Sequence, residues 1–232
     1  MKSWIEYWDS ENIISDNIWK QGNKLLYKNT LKFIDYRPTD VVMDIGCGKG
    51  FFSEIISNKV KKIHLLETSN ECLNFCKKRF KQNKNIFYHD LPHGNYLNYD
   101  FIKDKVNKIF VISVVHYFNS PTDMKKLIRE CQKLTIPNDS QMIIADIPIN
   151  RSIVKDITDI IYNSIKLHTL FDTSLLLLKS IFGNYRKVRQ NLKIQVYNQN
   201  ELQSMLEEMK LDFQILKGIT NVRNRISILI NF

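Results

Sequence analysis

Val41-Val42-Met43-Asp44-Ile45-Gly46-Cys47-Gly48-Lys49-Gly50-Phe51-Phe52-Ser53 decides the fold. Three of the chain's seven glycines fall within residues 46–50, in a sequence of 232 residues whose single alanine is Ala145. Glycine is retained where backbone must take a conformation closed to other residues, or must approach something closely. The apolar run before the cluster and the apolar helix-like segment after it give strand, glycine loop, helix. That arrangement holds a small cofactor against backbone amides. The spacing excludes two similar loops. A dinucleotide fingerprint, G-x-G-x-x-G, needs glycine where Phe51 stands, and a P-loop needs four residues between its first glycine and Gly-Lys-Ser/Thr. What stands here is D-x-G-x-G-x-G, with Asp44 two residues ahead of the first glycine.

Outward from this stretch, strand and helix signals alternate. Upstream, helical periodicity at Leu25, Leu26, Leu31 and Ile34 ends before Pro38. Downstream come a helix over 51–58, a strand Ile63–Leu66, a helix from the N-cap Ser69 to Lys81, and a strand Ile86–His89. A loop rich in turn formers reaches Asp100, and Ile109–Ile112 has the continuous apolar character of a strand buried on both faces. Ser120-Pro121-Thr122-Asp123 predicts a helix running to Leu134, with serine as N-cap and proline at the first position. The strand Met142–Ala145 follows, with Asp146 at its end. A helix over 200–209 and strands Phe213–Lys217 and Ile226–Ile230 close the pattern.

This order implies an α/β fold with a doubly wound, mostly parallel, seven-stranded sheet. Residues 149–197 interrupt it with helices at 153–167 and 175–182, a stretch too long for a simple connection. The expectation is one domain over 1–232, with an N-terminal helical cap (1–37) and a helical lid or substrate-facing insertion (149–197).

Apolar content of 44% and charged content of 25% are those of a soluble globular protein. No apolar run approaches the roughly 20 residues needed to span a bilayer, so no membrane insertion is expected. Met1–Glu6 has no signal-peptide apolar region, and four cysteines (47, 72, 76 and 131) make no disulfide framework. The expected location is cytoplasmic. Cys72 and Cys76 lie four apart among apolar neighbours without a nearby histidine, which fits core packing and predicts no metal. A net charge of +10 suits nucleic acid, anionic lipid or an acidic substrate. The abundance of lysine and asparagine with almost no alanine equally fits the bias of an AT-rich coding sequence. Two denser basic patches stand out, Lys77–Lys81 on a helix and Arg186-Lys187-Val188-Arg189 in the insertion.

Residues 41–53 match throughout the first motif of the class I S-adenosylmethionine (SAM)-dependent methyltransferases. The chain resembles that family closely over about residues 35–146 and loosely through the C-terminal helix and strands. The resemblance implies a Rossmann-like methyltransferase fold with SAM as cofactor. It implies that Asp44 supports the loop and the cofactor's ammonium, and that Gly46 and Gly48 pack on its ribose and methionine portions. Glu67, ending the second strand, would accept both ribose hydroxyls, a geometry that suits a carboxylate. Asp90 would accept from the adenine amine, Leu91 would cover the ring, and Ser113 would lie over the methionine end. The N-P-P-Y and Pro-Cys signatures of nucleic-acid base methyltransferases are absent. Val114-Val115-His116-Tyr117-Phe118 and the segment Tyr197–Leu206 resemble pieces of the small-molecule branch, members of which act in bacterial polysaccharide and secondary-metabolite pathways.

Methyl transfer from a sulfonium is an in-line displacement, so positioning carries much of it and a base is needed only to take the acceptor's proton. His116, just past the fourth strand, is the expected base, with a pKa ordinarily about 6.5; backbone bonding or packing is its alternative role. Asp146 is the second candidate, with a capping role as alternative. Tyr7, Trp8 and Trp19 would fold over the cofactor or simply pack, and Tyr7 and Tyr117 are expected to touch substrate. Arg186 and Arg189 would hold a phosphate or carboxylate of the substrate unless they are merely solvated. His93 and His168 are further candidates. The expected function is O-methylation of a small polar or anionic hydroxyl acceptor, such as a sugar, glycan or polysaccharide precursor. The alternatives are an RNA or protein methyltransferase, and a SAM-binding partner protein without activity.

Overall fold

The computed structural model describes residues 4, 15–92, 95–149, 153–182 and 194–232. A seven-stranded sheet runs through it in the order β3-β2-β1-β4-β5-β7-β6. The strands are β1 Val41–Ile45, β2 Lys62–Glu67, β3 Ile86–Asp90, β4 Lys108–Ile112, β5 Gln141–Pro148, β6 Asp212–Lys217 and β7 Arg225–Asn231. β1 to β5 pair in parallel, and β7 pairs antiparallel with both β5 and β6. The doubly wound, mostly parallel sheet expected from the alternation is present.

Parallel strands covered on both faces read as near-continuous apolar runs, and β4 and β5 do so because consecutive side chains enter different cores. Met43, Ile109, Val111, Met142 and Ile144 face one cluster. Val42, Phe110, Ile143 and Ala145 face the other. On the second face lie helices α1 Asp16–Thr30, α2 Phe51–Ile56 and α3 Asn70–Arg79, through Leu26, Phe52, Ile56 and Cys76. On the first lie α4 Thr122–Gln132 and α7 Gln199–Glu208, through Leu127, Ile128, Leu202 and Leu206. Cys72 and Cys76 are buried, and Cys76 belongs to the second cluster. Ser69 caps α3 by accepting from Cys72 N at 3.2 Å.

Several boundaries differ from the sequence reading, and three of the differences have a cause in local hydrogen bonds. α1 stops at Thr30, where the Thr30 hydroxyl binds Tyr27 O and Tyr36 Oη at 2.8 and 3.0 Å and the chain turns. α4 begins at Thr122, with Pro121 rather than Ser120 at the N-cap position; Ser120 Oγ accepts from Thr122 N at 3.2 Å. In the insertion, α5 Ile153–Lys166 and α6 Leu170–Phe182 meet through a turn in which His168 has φ 54°. α6 therefore starts five residues before the predicted Leu175, because Thr169 N bonds Ser164 O and Thr173 N bonds Thr169 O.

Candidate functional site

The sheet order reverses direction between β1 and β4, and ligands of open α/β sheets bind in the crevice at such a switch, beyond the carboxyl ends of the strands. A cavity of about 450 Å³ lies there, walled by residues from the ends of β1, β2 and β4. Gly46 N and Cys47 N both donate to Leu66 O, at 2.7 and 3.2 Å, which pins the loop after β1 to the end of β2. Gly46 and Gly48 hold φ of 67° and 54°, the left-handed region that side chains resist. At Gly46 a Cβ would also overlap the Val114 side chain on the neighbouring β4 loop. At Gly48 a Cβ would meet open space, so the bare backbone edge lies along the cavity.

Two buried carboxylates stand behind this loop. Glu67 Oε2 accepts from Gly48 N at 2.7 Å, while Oε1 accepts from Thr68 N, Ser69 N and Thr68 Oγ1 at 2.8, 3.0 and 3.3 Å. Glu67 thus clamps the glycine loop to its own strand, and Oε2, with one bond, keeps acceptor capacity. Asp44 Oδ2 accepts from Ser53 Oγ at 2.6 Å in a fully enclosed position. Burial pushes its carboxyl up to about 7; the Ser53 hydrogen bond opposes this and the charge of Glu67 adds to it. Glu67 is raised as well, by burial, against its four hydrogen bonds. Among the described residues neither acid has an ion-pair partner. Two buried, unneutralised acids facing one cavity are costly unless a cation completes them. A donor with an ammonium, a sulfonium and no phosphate fits this chemistry, and Lys49, the lysine of the loop, is already paired with Asp16 at 2.8 Å.

The comparisons with known proteins agree. Residues 42–138 match a family model described as "Methyltransferase domain". Those residues, fewer than half of the chain, are similar to a methyltransferase domain. A SAM-dependent methyltransferase from Clostridium acetobutylicum ATCC 824 superposes with a TM-score of 0.61 at 14% identity, covering 92% of each chain. The N-methyltransferase NodS from Bradyrhizobium japonicum WM9, solved with S-adenosylhomocysteine, superposes with a TM-score of 0.55 at 14% identity, covering 94% of this chain and 92% of that one. At such identities these likenesses speak for the fold. In sequence, ribosomal RNA small subunit methyltransferase A of Prochlorococcus marinus (strain MIT 9215) is 29% identical over 90 residues, 38% of this chain and 32% of that protein. The chain spans about a third of the length of the curated relatives it matches.

On the β4 side of the cavity, Ser113 just after β4 (φ 59°) and Asp146 within β5 (φ 69°), where the sequence reading puts it at the strand's end, are two non-glycine residues with left-handed backbone. Ser113 Oγ donates to Asp146 Oδ2 at 2.7 Å, and Arg225 Nη1 donates to the same oxygen at 2.8 Å. Arg225 Nη2 reaches Asp156 Oδ2 of α5 at 3.5 Å. The β5–β7 register shifts between Ile144 and Ile147, so Asp146 sits in an irregularity that frees its side chain for this network. Ser113 and Tyr117 line the cavity, together with Trp4, Trp19, Tyr96 and Phe118. Trp4 and Tyr117 have ring centroids 5.0 Å apart, and Tyr96 stacks on Phe118 at 5.6 Å.

The residues expected from sequence divide accordingly. Asp44, Gly46, Gly48, Glu67, Leu91, Ser113, Tyr117 and Trp19 line one cavity. Asp90 ends β3 opposite Glu67, but it is exposed and outside the lining. His116, in the 3-10 turn Val115–Tyr117, is buried and is not among the lining residues. Its ring packs 4.1 Å from the Tyr117 ring and its carbonyl accepts from Gln195 N at 2.9 Å. Burial, with the charge of Arg225, lowers its pKa to about 3, so it is neutral and enclosed, which favours the packing role given as the alternative to the base. Asp146 is likewise behind the wall, bonded to a residue in it. His168 is exposed in the α5–α6 turn, away from the cavity lining. Tyr7, Trp8, His93, Arg186 and Arg189 lie outside the described residues. Sequence reasoning missed Arg225, Trp4, Tyr96 and Phe118. The aromatic pair Tyr96 and Tyr99 within an otherwise turn-forming loop was the signal available, since turn chemistry alone does not call for a buried Tyr99 beside a half-buried Tyr96.

Proposed function

We propose that this chain transfers the methyl group of SAM to a hydroxyl of a small acceptor, such as a sugar or glycan precursor, that enters between Ser113 and the aromatic wall. The observation that carries the reading is the pair of buried, unneutralised carboxylates, Asp44 and Glu67, beside an open glycine edge. Bound SAM supplies an electrophilic methyl on a sulfonium. Asp44 answers the ammonium, Glu67 the ribose, and Leu91 one face of the adenine. Trp4 and Tyr117 exclude water at the other end, which strengthens every electrostatic contact inside. Ser113 has its own proton committed to Asp146, so its oxygen presents lone pairs to the cavity. An acceptor O–H donating to that oxygen would have a lone pair left to direct at the methyl group; as the C–O bond forms and the C–S bond breaks, its proton would pass to Ser113 Oγ while the Ser113 proton passes to Asp146 Oδ2, and such alignment is a large part of what this reaction needs. The apolar faces of a sugar ring pack naturally on tryptophan and tyrosine rings.

Calorimetric titration with SAM, followed by turnover of hydroxylated acceptors, tests the reading. No SAM binding, or binding retained in the combined Asp44→Ala and Glu67→Ala variant, overturns it. A second reading, an RNA acceptor, is favoured by the sequence match to ribosomal RNA methyltransferases and the charge of +10. Steep salt dependence of RNA affinity would mark it.

A further inference from the structure

The two insertion helices turn their polar side inward and leave an apolar side uncovered. Ile157, Ile161 and Ile165 recur every four residues along α5, and Phe171, Leu175 and Leu178 follow helical spacing along α6; all six are exposed, Phe171 to 83%. Surface leucines and isoleucines scattered singly need no explanation, but two aligned stripes on adjacent helices do. The charges are sorted too. The three acids of these helices are Asp156, Asp159 and Asp172. Asp156 bonds Arg225, Asp159 bonds Arg223, and Asp172 accepts from Asn17 Nδ2 of α1 at 2.7 Å. The exposed ionised groups of α5 and its surroundings are cationic: Lys155, Lys166 and Arg223 are exposed, and the last two each lie 4.5 Å from the Tyr162 ring centroid.

We propose that the outer face of α5 and α6 docks on an anionic lipid bilayer surface. Apolar side chains beside lysines, with acids withdrawn, are the composition of a helix that lies in the headgroup layer. The 13 residues of α6 reach about 20 Å, well short of the roughly 30 Å hydrocarbon core. No described helix is long and apolar enough to cross a membrane. The helices therefore lie on the bilayer and do not span it. A second copy of the chain fits this face poorly, because it would set Lys155, Lys166 and Arg223 against their own duplicates in a protein of net charge +10. The surface is independent of the methyl-transfer reading, since it lies on the outside of α5 and α6 and shares no residue with the cavity lining.

Flotation of the full chain with two vesicle preparations tests it: phosphatidylcholine alone, and phosphatidylcholine with about 30% phosphatidylglycerol. The chain should float with the anionic vesicles and much less with the neutral ones. Replacing Lys155 and Lys166 by alanine should weaken the anionic partition about fivefold per lysine. The combined Phe171→Ser and Leu175→Ser variant should lose it while keeping the thermal midpoint, because both side chains already face water. Absence from the anionic vesicles overturns the proposal, as does a bound fraction that the serine substitutions leave unchanged. A wild-type dimer by light scattering that becomes monomeric in the serine variant also overturns it, by assigning the face to a second copy.

Discussion

Asp44→Asn should stabilise the cofactor-free protein while crippling SAM binding. Asp44 is fully enclosed and its carboxyl sits at about 7, against an ordinary value of 3.8. An acid whose pKa is higher folded than unfolded binds its proton more tightly in the native state. The contribution to stability is therefore whole below the unfolded value, falls as pH rises from about 4 to about 7, and is gone above that. A rise from 3.8 to about 7 sets a ceiling of ~4 kcal/mol on the loss. Asparagine has nearly the same shape, stays neutral, and can still accept from Ser53 Oγ. Urea titration of the cofactor-free protein should find the variant equal to wild type near pH 4.5 and more stable by ~2–4 kcal/mol near pH 8. In wild type, SAM should recover that difference, since its ammonium restores a counter-charge; in the variant its affinity should fall at least about tenfold. Below pH ~7 the wild-type carboxyl must shed a proton to meet the ammonium, so SAM affinity should drop by up to tenfold per pH unit. A wild-type-to-variant difference that is the same at every pH, or a variant less stable near pH 8, refutes the reasoning.

Two further outcomes follow from the network at the other end of the cavity. His116 is buried, neutral and outside the lining, so His116→Leu should leave kcat and its pH profile unchanged and cost no more than ~1 kcal/mol of stability. A loss of rate above tenfold with SAM affinity intact would restore the base role. Arg225→Met strands two acids, Asp146 and Asp156, and should destabilise by ~3–5 kcal/mol in a urea titration. Adding Asp146→Asn to that variant should return part of the loss, and purely additive costs would show that the three side chains do not act together.

The legible part of this molecule is the part whose signals are local. The loop 44–50 is dictated by backbone conformation, which only glycine supplies at Gly46, and its spacing to the strand before it and the helix after it is short. Glu67 and Leu91 could be read because they sit at strand ends, where the fold presents side chains to ligands. Asp90, at the corresponding strand end, turned out exposed: the rule supplies a position but not a side-chain direction. The wall around Ser113 is built from partners far apart in the chain. Arg225 meets Asp146 across 79 residues and Asp156 across 69. Trp4 meets Tyr117 in the same way, and no spacing rule relates them. His116 misled because a histidine after a strand looks available in sequence, whereas burial is decided by what the rest of the chain lays over it.

The same division shows where the protein tolerates cost. In the loop after β1, left-handed backbone is assigned to glycine, which relieves it. Beside the loop, Ser113 and Asp146 carry left-handed backbone with side chains attached, worth about 1–3 kcal/mol each. Glycine at either position would remove that strain and, with it, the Ser113–Asp146 hydrogen bond. Asp146 keeps Oδ1 buried without a partner among the described residues while Oδ2 takes both Ser113 and Arg225. Nothing in the packing of β4 and β5 demands this; their cores are filled by Phe110, Val111, Ile143 and Ile144. What the arrangement does achieve is a hydroxyl oxygen held at one point of the cavity wall with its proton turned away. On the reading proposed above, an oxygen held there serves the acceptor group, and the strain at Ser113 and Asp146 is what fixes its position.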